Sequence, residues 1–124
     1  MLADHPIGAT IAVTDLDRAR RFYEDTLGMK VAMDRPDGVV YESGGTQFLV
    51  YPSQFAGTNK ATAATWQVDD VEAVVADLRG RGVTFEDYDF PGLKTENGIA
   101  TVEGLRGAWF KDPDGNILAV SELT

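Results

Sequence analysis

The groups that could do chemistry in this chain are few. It has one histidine, His5, no cysteine, and twenty carboxylates against eleven lysine and arginine side chains. Without cysteine there is no disulfide, no thiolate nucleophile and no Cys-ligated metal centre. The lone histidine precedes the first strand-like segment, so no Ser/His/Asp triad is signalled. Glu42, Glu103 and Tyr51 remain as candidates for general acid–base work. The stretch "KDPDGNILAVSE", Lys111 to Glu122, gathers three carboxylates but lacks the spacing of an EF-hand loop. Pro113 presets φ and Asp114–Gly115 suits a tight turn, so "DPDGN" reads as a hairpin turn and "NILAVSE" as the strand after it.

The secondary-structure pattern around these groups occurs twice. "PIGATIAVTDLDRARRFYEDTLGMKV" and "ATAATWQVDDVEAVVADLRGRGVTF" each run from an alternating strand to Asp, a helical pattern, Gly and a β-branched stretch. Asp15 and Asp70 stand where a side-chain oxygen caps a helix. Leu16, Ala19, Phe22, Tyr23 and Leu27 form one helical face. Val71, Val74, Val75 and Leu78 form the other. The spacing predicts helices over 15–27 and 70–80, with Gly28 and Gly80–Gly82 as stops. Strands follow each helix: "MKVAMD", "GVVYES" and "GTQFLVYPS" in the first pass, then "VTFEDY", a looser stretch over 89–97, "GIATVEG", "RGAWFKD" and "NILAVSE". The expectation is an α+β fold of two βαβββ modules, about 5–52 and 61–122. The modules form a single domain, with a curled mixed sheet around a cleft. Neither module is large enough to bury its sheet alone, which predicts that the halves pack together and that the protein is a homodimer.

Strand alternation selects which side chains face the cleft. Ile11, Val13, Trp66 and Val68 point toward the helices. Thr10, Gln47, Tyr51, Thr65, Gln67 and Ser121 point the other way and are the candidate ligand-binding groups. Their hydroxyls and amides suit orienting a neutral molecule by hydrogen bonds. Tyr51, Phe55 and one of Trp109 or Phe110 are candidates for stacking on a planar ligand. The acidic run Glu86 to Phe90 reads as a solvated segment.

The bulk properties bound the partners. A net charge of −9 argues against nucleic acid and against an anionic membrane surface, and is compatible with a cationic ligand. No apolar run approaches the ~20 residues needed to span a bilayer, and "MLADHPIGAT" does not resemble a signal peptide, so the expected location is cytoplasmic.

"AVTDLDRARRFYEDTLG", "WQVDDVEAVVADLRGRG" and "WFKDPDGNILAVSE" together resemble the vicinal oxygen chelate superfamily. That superfamily includes glyoxalase I, bleomycin-resistance proteins, fosfomycin-resistance enzymes and extradiol dioxygenases. The resemblance covers nearly the whole chain and implies four metal-ligand positions on strands curling around the cleft. Carried onto this sequence they are Gly8, Ala63, Ala119 and either Leu49 or Val50. None offers a lone pair to zinc, iron, manganese or nickel. His5 and Glu122 lie three residues from Gly8 and Ala119 and so belong to the opposite strand face. Tyr51 is a poor ligand for a divalent ion.

Three readings follow. The first is a metal-free, cofactor-free protein that sequesters a small hydrophobic or cationic molecule, such as an antibiotic. The second is an enzyme of the same fold, a lyase, isomerase or dioxygenase, using displaced metal ligands or carboxylate and tyrosine acid–base chemistry. The third is a relative that serves only as an interaction partner.

Overall fold

The computed structural model describes residues 1–123. A 3-10 turn (Leu2–Asp4) precedes the first module, which runs β1 (Thr10–Val13), α1 (Leu16–Arg20), β2 (Lys30–Arg35), β3 (Gly38–Ser43) and β4 (Thr46–Pro52). The second runs β5 (Thr62–Gln67), α2 (Val71–Gly80), β6 (Asp89–Phe90), β7 (Leu93–Glu96), β8 (Ile99–Val102), β9 (Leu105–Lys111) and β10 (Ile117–Leu123). Each module carries its own mixed sheet, ordered β1-β4-β3-β2 and β5-β10-β9-β8-β7-β6. The β1–β4 and β5–β10 pairings are parallel and the rest antiparallel.

The chain therefore builds the expected α+β fold of two modules, with one mixed sheet in each. β1 is the edge strand of the first sheet, and there the Ala12 carbonyl accepts a 2.7 Å hydrogen bond from Asn116 Nδ2. A side chain, not a strand, satisfies the backbone there.

Both helices begin as their sequences dictate. Asp15 Oδ1 accepts from Arg18 N and Asp70 Oδ1 from Ala73 N, each at 3.1 Å. The start of α2 has a second acceptor, because Glu122 Oε1 takes the Val71 N–H at 2.7 Å. Glu122 thus serves a helix terminus, on the face that strand parity assigns to it. After Arg20 the first helix widens into a π-helical segment (Arg21–Thr26), where the Leu27 N–H reaches back to Phe22 O. Gly28 then ends it at φ +77. In the wider turn Tyr23 is fully buried while neighbouring Phe22 still packs against the core, their rings edge-to-face at 5.2 Å.

One core joins the modules. Ile11, Val13, Tyr41, Phe48 and Val50 from the first sheet meet Val75 and Leu78 of α2 and Phe110, Leu118 and Val120 of the second sheet. Trp66 bridges them, stacked on Phe110 at 6.2 Å and edge-on to Phe48 at 6.2 Å. Its indole N–H donates to Ser43 Oγ at 3.1 Å. Burying each large side chain of this kind stabilises the fold by about 1.5–3 kcal/mol.

The turn between β9 and β10 is also a clasp. Asp112 is 4% exposed, and its Oδ1 accepts from Asp114 N and Asn116 N, both at 2.9 Å. Its Oδ2 accepts from Asn116 Nδ2 and from the Tyr23 hydroxyl, both at 2.8 Å. Asp114 Oδ1 accepts from Thr14 N, the Thr14 hydroxyl and Arg18. Two of the three carboxylates of this stretch, Asp112 and Asp114, thus hold one module to the other, while Asp114 Oδ2 is buried without a partner.

The second module departs from the expected pattern after α2. Residues 83–88 form no full strand. Phe85 makes an isolated antiparallel bridge to Phe110, and the Glu86 N–H binds Trp109 O at 2.8 Å. The stretch over 89–97, expected to be loose, instead holds β6, β7 and the turn into β8. Asn97 and Gly98 both have positive φ, 55° and 82°, which is the two-residue hairpin geometry that an Asn-Gly pair favours.

Candidate ligand-binding face

Strand register places the family's metal positions without ambiguity. In the first module Thr10 pairs with Leu49, and in the second Thr65 pairs with Ala119. Gly8 and Ala63 lie two residues before those threonines, so Leu49, not Val50, is the counterpart of Ala119. Val50 is fully buried on the helix side. Gly, Leu and two Ala side chains supply no donor, and the donor set does not fit a metal ion at this place. Among the described residues, no three His, Cys, Asp or Glu side chains come together in a way that could hold one elsewhere.

The residues selected by alternation fall in three places. Gln47, Thr65 and Gln67 line one groove with Gly8 and Thr46, of about 530 Å³, between the starts of β1 and β4 and the edge of β5. Thr10 and Tyr51 sit on the β1–β4 face opposite the core, across from Leu49 and Ala12. Ser121 pairs with Gln67 on β5 and Gly107 on β9. Trp109 belongs to a separate basin of about 690 Å³. Phe110, adjacent to Trp109, points the opposite way and is 1% exposed in the core, packed on Phe22, Trp66 and Phe85.

The Trp109 basin is the best-built surface of the set. Trp109 pairs with Ala119, and Lys111 with Ile117, so these four share one face of the β9–β10 ladder. Gly107 leaves room beside the indole, since a Cβ there would stand 3.5 Å from the ring. Tyr88 meets Trp109 edge-to-face at 5.5 Å and stacks with Phe90 at 5.6 Å. Thr95 holds Tyr88 in place. Its hydroxyl accepts from Tyr88 N at 2.8 Å, and its own N–H donates to Tyr88 O at 2.9 Å. The Tyr88 phenol is pushed above the usual tyrosine range, first by burial and then by Glu86, with Lys111 opposing. It therefore faces the basin as a neutral hydroxyl.

Tyr88, Phe90, Lys60 and Lys111 are site residues that strand alternation did not select. Tyr88 and Phe90 lie in the acidic run read as solvated, where no period-2 pattern marks a strand. The signal that could have placed them was the Pro91–Gly92 dipeptide. The turn at Pro91–Gly92, with Gly92 at φ 82°, is what brings β7 back beside 88–90.

The sequence matches the family model "Glyoxalase/Bleomycin resistance protein/Dioxygenase superfamily" over residues 4–120. No curated protein matches it. Among solved structures it is similar to a glyoxalase family protein from Enterococcus faecalis, at 22% identity and TM-score 0.73, covering 98% of this chain and 100% of that one. It is also similar to a lactoylglutathione lyase from Agrobacterium tumefaciens, at 20% identity and TM-score 0.68, covering 95% and 92%. The antibiotic-binding protein TnmS3 from Streptomyces sp. CB03234 is similar at 21% identity and TM-score 0.65, covering 97% and 98%. At these identities the solved structures bear on the fold alone, whereas the family model spans most of the sequence: the chain belongs to the glyoxalase/bleomycin resistance protein/dioxygenase superfamily.

Proposed function

We propose that this protein is a metal-independent binder of small molecules. The observation that carries the reading is a pairing of absence and presence on one strand face. Ala119 stands where the resemblance puts a ligating glutamate, and beside it Trp109, Tyr88 and Phe90 form an aromatic wall. Aromatic faces with a few polar groups are what a site for an organic ligand presents. The antibiotic-binding neighbour is a precedent for such a role on this fold.

The active form in this proposal is a homodimer. Gln47, Thr65 and Gln67 line one groove and Trp109 another. A second copy laid against these faces would join the two sets into one enclosed site. Val31 and Met33 on β2, an edge strand of the first sheet, are exposed and give the second copy apolar surface to cover.

The test is a thermal-shift screen of organic ligands beside a titration with zinc, nickel, iron and manganese, with sedimentation run in parallel. Ligand-dependent stabilisation without tight stoichiometric metal supports the reading. A tightly held stoichiometric metal ion, or no hit that depends on Trp109, overturns it.

A further inference from the structure

We infer that the Trp109 basin takes a planar aromatic anion, an aryl carboxylate or a compound of similar charge. This rests on the binding role proposed above and narrows its ligand class. The chain's net charge of −9 points toward a cationic ligand, but the basin's local balance is the reverse. Two of the chain's four lysines, Lys60 and Lys111, line it against a single carboxylate, Glu86. Glu86 is already engaged, since its Oε1 lies 3.2 Å from Lys111 Nζ. Among the described residues Lys60 forms no ion pair.

The two lysines come from different segments. Lys111 projects from β9, two residues beyond Trp109 and on the same face. Lys60 comes from the linker between the modules, which local bonds hold in place. Asn59 Oδ1 accepts from Ala61 N at 3.0 Å, and the Thr58 hydroxyl donates to Phe55 O at 2.7 Å. Gly57, at φ +73, seats the linker against the Asp114 carbonyl, where a Cβ would collide. Trp109, Tyr88 and Phe90 line the same basin. A flat ring system stacked there directs an acidic substituent toward the Lys60 ammonium, the one cation without a partner. The volume, about 690 Å³, is in the range of drug-sized sites and admits a fused two-ring compound.

The experiment compares three probes of one shape by calorimetry on the full chain: 1-naphthoate, 1-naphthamide and 1-naphthylmethylamine, each at low and high salt. The expected result is that naphthoate binds tightest, by about fivefold or more over the amide, and that added salt narrows the gap. Lys60→Gln should remove about two- to fivefold of naphthoate affinity, the worth of an exposed ion pair, and leave the amide unchanged. Lys111→Gln is made with Glu86→Gln, so that no carboxylate is left alone.

Equal binding of naphthoate and amide overturns the anion inference but leaves the binding role intact. Preference for the amine overturns it in favour of a cationic ligand. Naphthoate binding that survives Trp109→Ala undiminished, or no binding of any probe, also overturns it. The wider role fails separately, when the ligand screen yields no hit that depends on Trp109.

Discussion

The Tyr23 hydroxyl donates a 2.8 Å hydrogen bond to Asp112 Oδ2, tying the helix of one module to the closing turn of the other. Both groups are buried. Burial first, and then the Asp112 charge, raise the Tyr23 phenol well above its ordinary range. The folded chain therefore keeps this proton at pH values where the unfolded chain has released it. The stability it contributes is complete below the ordinary tyrosine value near ~10 and declines as pH rises above it.

Tyr23→Phe should accordingly cost about 1.5–3 kcal/mol at neutral pH, the worth of a hydrogen bond to a charged acceptor. It should also flatten the alkaline decline by up to ~1.4 kcal/mol per pH unit, one proton's share. Denaturant unfolding at neutral pH and again in the alkaline range checks both. Tyr41 keeps part of the slope, because burial and its hydrogen bond to Glu24 raise it in the same direction.

Trp109→Ala should leave the fold largely intact and abolish most ligand affinity. The indole is half-buried, beside Gly107 and against Tyr88, outside the core that unites the modules. Removing a stacked aromatic anchor costs about 2 kcal/mol or more in binding, roughly thirtyfold in affinity. Phe110→Ala is the contrasting variant, since that ring is deep in the core and its loss should cost about 3–5 kcal/mol of stability. Calorimetry with any ligand from the screen, together with unfolding curves for both variants, separates site from scaffold.

That contrast also marks how far the sequence could be read. Two strand–helix passes, Asp15 and Asp70 as caps, and "DPDGN" as a hairpin turn were legible because each rests on local chemistry: a periodicity, a cap or a turn residue. The direction of Trp109 against Phe110 was not, because "RGAWFKD" is apolar on both faces and alternation cannot say which is inward. Only pairing with β10 decides, placing Trp109 opposite Ala119 and Phe110 opposite Leu118. The bonds that tie the modules together were hidden for a similar reason. Asn116 reaches the Ala12 carbonyl, a contact 104 residues apart in the chain. The basin's aromatic wall depends on Thr95 binding Tyr88 across a hairpin whose strands carry no clear alternation.

Thr95→Val tests that last dependence. Thr95 is buried, and its hydroxyl serves Tyr88 N and Asp87 Oδ1 at 2.8 and 3.1 Å. Valine keeps the shape and leaves the Tyr88 N–H and the Asp87 carboxylate short of a partner. The expected loss is about 1–3 kcal/mol of stability. A positioning role for Thr95 predicts more than that loss. Hydrogen exchange should accelerate at 88–95, and ligand affinity should fall in a variant still fully folded at the assay temperature. Thr95→Ser retains the hydroxyl and should restore affinity. Equal affinity in Thr95→Val and the parent would show that the wall does not need this anchor.

Restoring a histidine at the family's first metal position should fail to create a metal site. Gly8 lies where any Cβ would run into the Gln47 carbonyl of β4. A side chain there must push β1 and β4 apart before its imidazole can reach anything. The three other positions, Leu49, Ala63 and Ala119, would still contribute no donor. Gly8→His is therefore expected to lose about 1–3 kcal/mol of stability, as strained insertions into packed structure do. Gly8→Ala should lose a comparable amount, because the Cβ alone makes the clash. Zinc titration followed by calorimetry and by thermal shift distinguishes the outcomes. Weak or no zinc stabilisation in Gly8→His, with both variants destabilised alike, is the expected pattern. Tight one-to-one zinc binding in Gly8→His would mean that donors absent from those four positions converge on the cleft, and the metal-independent reading would fall with it.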